Sequence, residues 1–214
     1  QPPPYAGLDI RYIDGDLLVV DKPAGLLSVP GRGPGKQDCL SARVQARYPE
    51  ALPVHRLDLG TSGLLVLARG PEMHRALNRL FATRRVEKRY VALVAGRMEA
   101  SEQVIDLPLI ADWPNRPLQM VDHAIGKPSR TRLCVVGYEP WLDATRVDLF
   151  PETGRSHQLR VHLQTIGYHI LGDEFYAPPE VFARATRLLL HATVLAFRHP
   201  STATALRVES PAPF

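Results

Sequence analysis

The chain has 214 residues, of which 45% are hydrophobic and 22% are charged, and its net charge is +4 at pH 7. Such a composition is typical of a globular protein with a sizeable core and excludes a disordered or collagen-like chain. No apolar run reaches membrane-spanning length and no signal-peptide pattern opens the sequence, so neither a membrane-spanning nor a secreted protein is predicted. The excess of basic residues suits a polyanionic partner.

The first part of the chain predicts a β-hairpin followed by a short helix. Residues 1–8 begin with a Pro-rich stretch, and we expect them to form a flexible lead-in. Residues 12–20 predict the hairpin, because Asp14 and Gly15 provide a turn signal between two apolar-rich segments. After a Gly- and Pro-rich loop, residues 40–48 predict a helix that ends before Pro49.

A strand, a helix and a second strand are predicted next. The uninterrupted apolar run at 64–68 indicates a buried strand, and residues 90–94 indicate another. Between them, residues 72–85 predict a helix because four apolar residues recur at helical spacing. These residues are Met73, Leu77, Leu80 and Phe81.

The second half is richer in strands. Residues 104–110 predict a strand in which Pro108 indicates an edge position or a bulge. Residues 130–137 and 146–150 predict a hairpin. Ser156 is predicted to cap a helix that ends at Gly167. The inward face of this predicted helix is formed by Leu159, Leu163 and Ile166.

Two final strands are predicted at 188–198 and 205–209. Strands dominate the whole chain, and helices do not follow every strand. This order favours an α+β fold with a mixed, mostly antiparallel sheet over a doubly wound fold.

The most informative stretch is HRLDLGTSGLLVLAR, residues 55–69. It places a carboxylate, Asp58, on a turn that leads into a predicted buried strand, and loops held by rigid strands commonly carry catalytic groups. The alternative is that Asp58 only caps the turn, since Asp favours turns for local hydrogen-bonding reasons.

This stretch resembles a signature of the RluA family of RNA pseudouridine synthases, and five further blocks match that family in the same order. They are DKPAGLLSVPG (21–31), KRYVA (88–92), GRSHQLRVH (154–162), GDEFY (172–176) and LLLHA (188–192). The family commonly has Asn where this chain has Asp21, a position outside the catalytic set. The segment DWPNRP, residues 112–117, is similar to a short member that acts on both 23S ribosomal RNA and tRNA.

The resemblance implies one catalytic domain over residues 1–214, with a bent sheet, flanking helices and a central cleft, and no accessory RNA-binding domain. It implies an isomerase that converts uridine to pseudouridine in RNA loops. The reaction is redox-neutral, so no cofactor and no metal are expected. His157 and His162 lie five residues apart, which does not suit a pair of helical metal ligands, and a structural hydrogen-bonding role is favoured.

The resemblance assigns catalytic roles to Asp58, Tyr90 and Arg160. Asp58 matches the catalytic aspartate, which either attacks C1′ or removes a proton from C2′; the sequence does not choose between them. Tyr90 matches an active-site tyrosine that stacks on the uracil, and its alternative is a core aromatic residue. Arg160 matches a buried arginine that pairs with the aspartate, and its alternative is a surface charge.

Two further residues are assigned to substrate binding. Arg56 matches an arginine that fills the space left by a flipped-out nucleotide, and its alternative is a phosphate contact. Leu190 is assigned to the base pocket, and its alternative is a core position.

Six basic residues lie within fifteen positions: Arg75, Arg79, Arg84, Arg85, Lys88 and Arg89. Alone they would indicate a solvated helix face, but beside the other motifs a surface that contacts RNA phosphates is favoured. The DWPNRP loop is predicted to contact an RNA loop, and the alternative is that Trp113 packs inward.

The expected partner is RNA, as hairpin loops of 23S rRNA and tRNA, with no membrane. Cys39 and Cys134 are far apart and form no CxxC pair, which predicts reduced, partly buried thiols in a cytoplasmic protein, and we expect a monomer. Three alternatives remain: an RNA-binding homologue without activity, a synthase for a single RNA, and a nucleoside hydrolase. The last would usually need two carboxylates flanking the bond, and Asp173 has no assigned place.

Overall fold

Residues 2–214 are described by a computed structural model, and they form twelve strands, four α-helices and two short 3₁₀ helices. The strands are β1 (Asp9–Ile13), β2 (Leu17–Lys22), β3 (Ala51–Pro53), β4 (Ser62–Arg69), β5 (Glu87–Ala95), β6 (Glu102–Asp106), β7 (Leu109–Ala111), β8 (Gln119–Val121), β9 (Arg130–Glu139), β10 (Ala144–Pro151), β11 (Leu190–Arg198) and β12 (Ala205–Glu209). The α-helices are α1 (Leu40–Gln45), α2 (Pro71–Ala82), α3 (Gln158–Thr165) and α4 (Pro179–Phe182).

The chain divides into two compact units. Unit 1 contains the residues up to Lys88 together with His191–Pro213, and unit 2 contains Arg89–Leu190 together with Phe214. The single catalytic domain over 1–214 stays a prediction, and so does the flexible lead-in at 1–8, of which Gln1 lies outside the described residues.

Unit 1 is a sheet in the order β1, β2, β4, β11 and β12, with β3 paired to β4. Strands β4 and β11 pair in parallel, whereas the other neighbours in this unit pair antiparallel. Residues 17–20 of β2 and 64–68 of β4 are fully buried, which explains why both read as continuous apolar runs. The helix α2 packs Met73 and Leu77 against them.

Gly63 is required where β4 meets β11. Its φ is +111°, and a Cβ atom at this position would lie 2.3 Å from the backbone oxygen of Ala192. Only glycine allows this backbone conformation and this approach. The glycine of the 55–69 stretch therefore has a packing role directly after the turn that carries Asp58.

Unit 2 contains the antiparallel order β5, β10, β9 and β6, and a separate hairpin of β7 and β8. Its core includes Leu133, Val147 and Leu149 from the strands, with Leu159 and Leu163 from α3. The two sets of strands confirm the α+β prediction and the mostly antiparallel pairing. The expected hairpins at 12–20 and 130–150 are confirmed as well.

Two predictions about local structure are wrong. The strand expected over 104–110 is divided into β6 and β7, because Pro108 has no N–H to donate to a strand ladder. Leu107 N and Leu109 N donate to Ser129 O and Lys127 O, in the segment ahead of β9. Ser156 does not cap α3. The residue before the helix is His157, with φ +54°, and the start is held instead by buried Gln158, whose Oε1 accepts hydrogen bonds from Arg155 N and Thr153 Oγ1.

Candidate active-site residues

Asp58 lies in unit 1 on the turn between β3 and β4. Its carbonyl oxygen accepts a hydrogen bond from Thr61 N at 3.2 Å, which closes the turn. Leu57 is buried, Arg56 is exposed and Asp58 is half-buried. The buried leucine thus fixes the turn to the core, while its two charged neighbours remain accessible to a substrate.

The backbone on both sides of Asp58 is held by the segment that follows β2. Ser28 Oγ accepts from Leu57 N at 2.9 Å and donates to Leu57 O at 2.7 Å. On the other side, Leu59 O accepts from Gly25 N at 2.8 Å and from the buried ammonium of Lys22 at 3.2 Å. The backbone on each side of Asp58 is therefore fixed to the segment after β2.

Lys22 and Ser28 support the Asp58 turn, and the sequence reasoning did not single them out. Both belong to the block at 21–31, whose main signal in the sequence is its resemblance to the family. Ser28 lies 29 positions from Leu57, so no local pattern connects them. The available signal was a lysine just after the apolar run at 17–20, because a buried lysine must be paired with acceptors.

His55 supports the same turn in an uncharged form. Its Nε2 accepts a hydrogen bond from Val66 N at 3.1 Å, and its ring stacks on Phe81 with 4.7 Å between centroids. Burial and the nearby charge of Lys88 lower the pKa of His55 to about 3. Burial also lowers the pKa of Lys88, to about 8. A protonated His55 would lose its acceptor, so the turn depends on the neutral ring.

Acid should therefore destabilise the protein through His55. His55 binds a proton near pH 6.5 in the unfolded chain but only near pH 3 in the folded chain. The free energy of unfolding therefore decreases as the pH falls below 6.5. We expect a loss of up to about 2 kcal/mol between pH 6.5 and 5 from this residue. His55→Gln, which keeps an acceptor, should show a shallower decline in urea titrations. Substitution of exposed His123 by Gln is the control, and equal slopes for all three proteins would contradict the role of His55.

Arg160 lies in unit 2 on α3 and is 4% exposed, so the alternative of a surface charge is wrong. It forms a bidentate ion pair with Asp173, with Nε to Oδ2 at 2.8 Å and Nη2 to Oδ1 at 2.5 Å. Asp173 Oδ1 also accepts from the backbone N–H groups of Phe175 and Tyr176. Asp173 is thus the partner that sequence reasoning missed, and the pairing of Arg160 with Asp58 stays a prediction.

The other assigned residues of unit 2 lie on strands. Tyr90 is on β5, half-buried and packed against the core of the unit. Leu190 begins β11, is 2% exposed and belongs to the same core. The catalytic role of Tyr90 and the place of Leu190 in a base pocket stay predictions.

Both histidines of the GRSHQLRVH block are hydrogen-bonded, as predicted. His162 is buried, and both of its ring nitrogens have partners. Nδ1 lies 3.0 Å from Thr131 Oγ1, and Nε2 lies 3.1 Å from Leu107 O. His157 Nδ1 lies 2.7 Å from the hydroxyl of Tyr176. Within residues 2–214 there is no cluster of side chains suited to a metal ion.

The six basic residues fall into two groups. Arg89 pairs with Asp148 at 3.3 Å, and Lys88 is partly buried. The four others, on α2 and the turn after it, are exposed and form no ion pair with any residue between 2 and 214. These four, which we call the basic surface, are Arg75, Arg79, Arg84 and Arg85. Unneutralised arginines on one segment are suited to phosphate groups.

Two further structural findings bear on the sequence predictions. Cys39 and Cys134 are both free thiols, the first buried and the second partly buried, as predicted. Across the described part of the chain, no helix combines the length and apolar character needed to cross a membrane.

The comparisons with known proteins agree on one family. Residues 16–165 match the model of the RNA pseudouridylate synthase family. The chain is 49% identical over 214 residues to "Dual-specificity RNA pseudouridine synthase RluA" of Escherichia coli (strain K12), covering 100% of this chain and 97% of that protein. The protein of the same name from Salmonella typhi is 47% identical with the same coverage. Among solved structures, "Human RNA Pseudouridylate Synthase Domain Containing 1" superposes with a TM-score of 0.83 at 30% identity, covering 100% of this chain and 87% of that one.

Proposed function

The chain belongs to the RluA family of RNA pseudouridine synthases, and from this we propose that it isomerises specific uridines in hairpin loops of both 23S ribosomal RNA and tRNA. The observation that carries the proposal is the Asp58 turn, whose backbone Ser28, Gly25 and Lys22 hold on both sides. The relatives' name, which specifies dual specificity, supports the choice of two RNAs.

The reaction exchanges one glycosidic bond for another. The N1–C1′ bond of uridine breaks, the uracil turns, and a C5–C1′ bond forms; C5 then loses its proton and N1 gains one, so the net change is an isomerisation. Asp58 serves in its ionised form, either as the nucleophile at C1′ or as the base at C2′. Neither route requires a cofactor.

We also propose, for the other assigned residues, the roles that the family resemblance gives them. Arg160 keeps the role that the family resemblance assigns to it, pairing with the catalytic aspartate, in addition to its ion pair with Asp173. Tyr90 stacks on the uracil and handles the C5 proton. The target base must leave its stack, and exposed Arg56 occupies the vacated space while Leu190 contributes an apolar wall to the base pocket.

Binding of RNA also needs contacts to its backbone, and the basic surface is suited to them. Four exposed guanidinium groups would release counterions on contact with phosphates, so affinity should fall steeply as salt increases. We further propose that the protein acts in the cytoplasm as a monomer and as one catalytic domain.

Two short RNAs test the function directly. Purified protein is incubated with an isolated tRNA anticodon stem-loop and with an isolated 23S rRNA hairpin, and the products are separated to distinguish pseudouridine from released uracil. We expect pseudouridine in both RNAs, because unpaired loops can be splayed out and read without the rest of the molecule.

The same experiment separates the alternatives. Pseudouridine in only one RNA would indicate a single-substrate synthase. Released uracil would indicate a hydrolase. Binding of the RNA without either product would indicate an RNA-binding homologue that lacks activity. Activity on intact ribosomal RNA with none on either hairpin would refute dual specificity and leave the enzyme class unchanged.

A further inference from the structure

An exposed pair of an aromatic and a basic side chain lies at the end of the β7–β8 hairpin. The connecting loop, residues 112–118, carries Trp113, which is 64% exposed, so its predicted alternative of packing inward is wrong. The guanidinium of Arg116 lies 4.1 Å from the centroid of the indole ring. Arg116 Nε also donates to Trp113 O at 3.4 Å, which ties the arginine side chain to the backbone of Trp113.

Hydrogen bonds within the loop fix its conformation. Asp112 N donates to Leu118 O at 3.0 Å, and Leu118 N donates to Asn115 O at 3.1 Å. Asn115 bonds to Asp112 twice, through its backbone N–H and through its side-chain amide. The indole is therefore presented to solvent by a braced loop.

The base of the hairpin is held to α3 and to the GDEFY block. Gln119 N, the first backbone donor of β8, bonds to the hydroxyl of Tyr176 at 2.9 Å, and that hydroxyl also bonds to His157. Leu118 and Val121 pack against the small core around Tyr176 and Val161. The hairpin thus has its inner face buried and its Trp–Arg pair directed away from the core.

We propose that Trp113 and Arg116 form a stacking surface for an unpaired base of the RNA substrate, with the guanidinium also facing the adjoining phosphate. The inference rests on the proposed function and adds to it a residue pair that binds the RNA loop. Aromatic rings and arginine planes are the groups on which proteins stack unpaired bases. Stacking of this kind changes affinity by about 10- to 100-fold per base when the ring is removed.

The chain offers a matched control for this surface. It contains two tryptophans, and the second, Trp141, is 81% exposed in the turn between β9 and β10 of the same unit. It has no guanidinium stacked on it among the cation–aromatic contacts of residues 2–214. Its replacement removes an even more exposed indole without touching the proposed surface.

Affinity for the anticodon stem-loop is measured for Trp113→Ala, Trp113→Phe, Arg116→Gln and Trp141→Ala. We expect Trp113→Ala to raise Kd by about 10- to 100-fold, and Trp113→Phe and Trp141→Ala to stay within about threefold of wild type. The single-turnover rate at saturating RNA should remain near wild type for all four, because the surface binds and does not react. Equal melting temperatures exclude an effect of folding.

Fluorescence reports the contact itself. With Trp141→Phe, Trp113 is the sole tryptophan, and the stem-loop should quench its emission, whereas a blunt RNA duplex of the same composition should not. With Trp113→Phe, the remaining Trp141 signal should not respond to either RNA.

The results separate this inference from the proposed function. If wild type forms pseudouridine in the stem-loop but Trp113→Ala binds it as tightly as Trp141→Ala, the stacking surface is refuted and the enzyme activity stands. If Trp113-dependent binding is found without pseudouridine, the stacking surface stands and the activity is refuted. Absence of stem-loop binding by wild type, or equal quenching by duplex, refutes the surface.

Discussion

Asp58→Asn is expected to abolish pseudouridine formation while the fold and the affinity for RNA stay near wild type. Asn has nearly the same size and keeps one oxygen, but it lacks the charge that either proposed mechanism requires. The turn should persist, since its backbone is held at Leu57, Asp58 and Leu59. We expect kcat/KM to fall by roughly 10³-fold or more.

The measurement is pseudouridine formation on the stem-loop under single-turnover conditions, with RNA binding and melting temperature recorded for the same protein. Asp122→Asn is the matched control, because Asp122 Oδ1 caps a turn by accepting from Ala124 N and Ile125 N. That variant tests what loss of a turn-capping carboxylate does by itself. Substantial activity in Asp58→Asn would show that Asp58 only caps its turn.

Arg160→Met is expected to lower the free energy of unfolding by about 3–5 kcal/mol, the usual result of leaving a buried charge unpaired. Asp173, the group left behind, is 1% exposed and has the guanidinium as its bidentate partner. Asp173→Asn in the same protein should restore part of this loss, because the amide oxygen can still accept from Phe175 N and Tyr176 N.

Urea denaturation of the two single variants and the double variant measures the coupling. Arg130→Met provides the control, since Arg130 is 48% exposed in its ion pairs with Asp106 and Glu152 and should contribute less than about 1 kcal/mol. If Arg160→Met and Arg130→Met have equal free energies of unfolding, a stabilising role for the buried pair is refuted. Strict additivity in the double variant would show that the two residues are not coupled.

The sequence by itself determined the features that depend on neighbouring residues. The hairpin at Asp14 follows from its local turn chemistry, since its Oδ1 accepts from Asp16 N and Leu17 N. The buried strand at 64–68 follows from an uninterrupted apolar run, and α2 from its apolar spacing. The candidate residues Asp58, Tyr90 and Arg160 came from matching whole blocks, which carry the constraints of a family as well as those of local structure.

The tertiary structure alone decided which distant residues meet. Ser28 bonds to Leu57 across 29 positions and Arg160 pairs with Asp173 across 13, and neither separation is a helical or strand period. Likewise, Trp113 faces solvent because its loop is braced by its own hydrogen bonds and its hairpin packs by the opposite face. Side-chain partners of buried polar groups depend on how the backbone segments are brought together, and one-dimensional patterns do not contain that information.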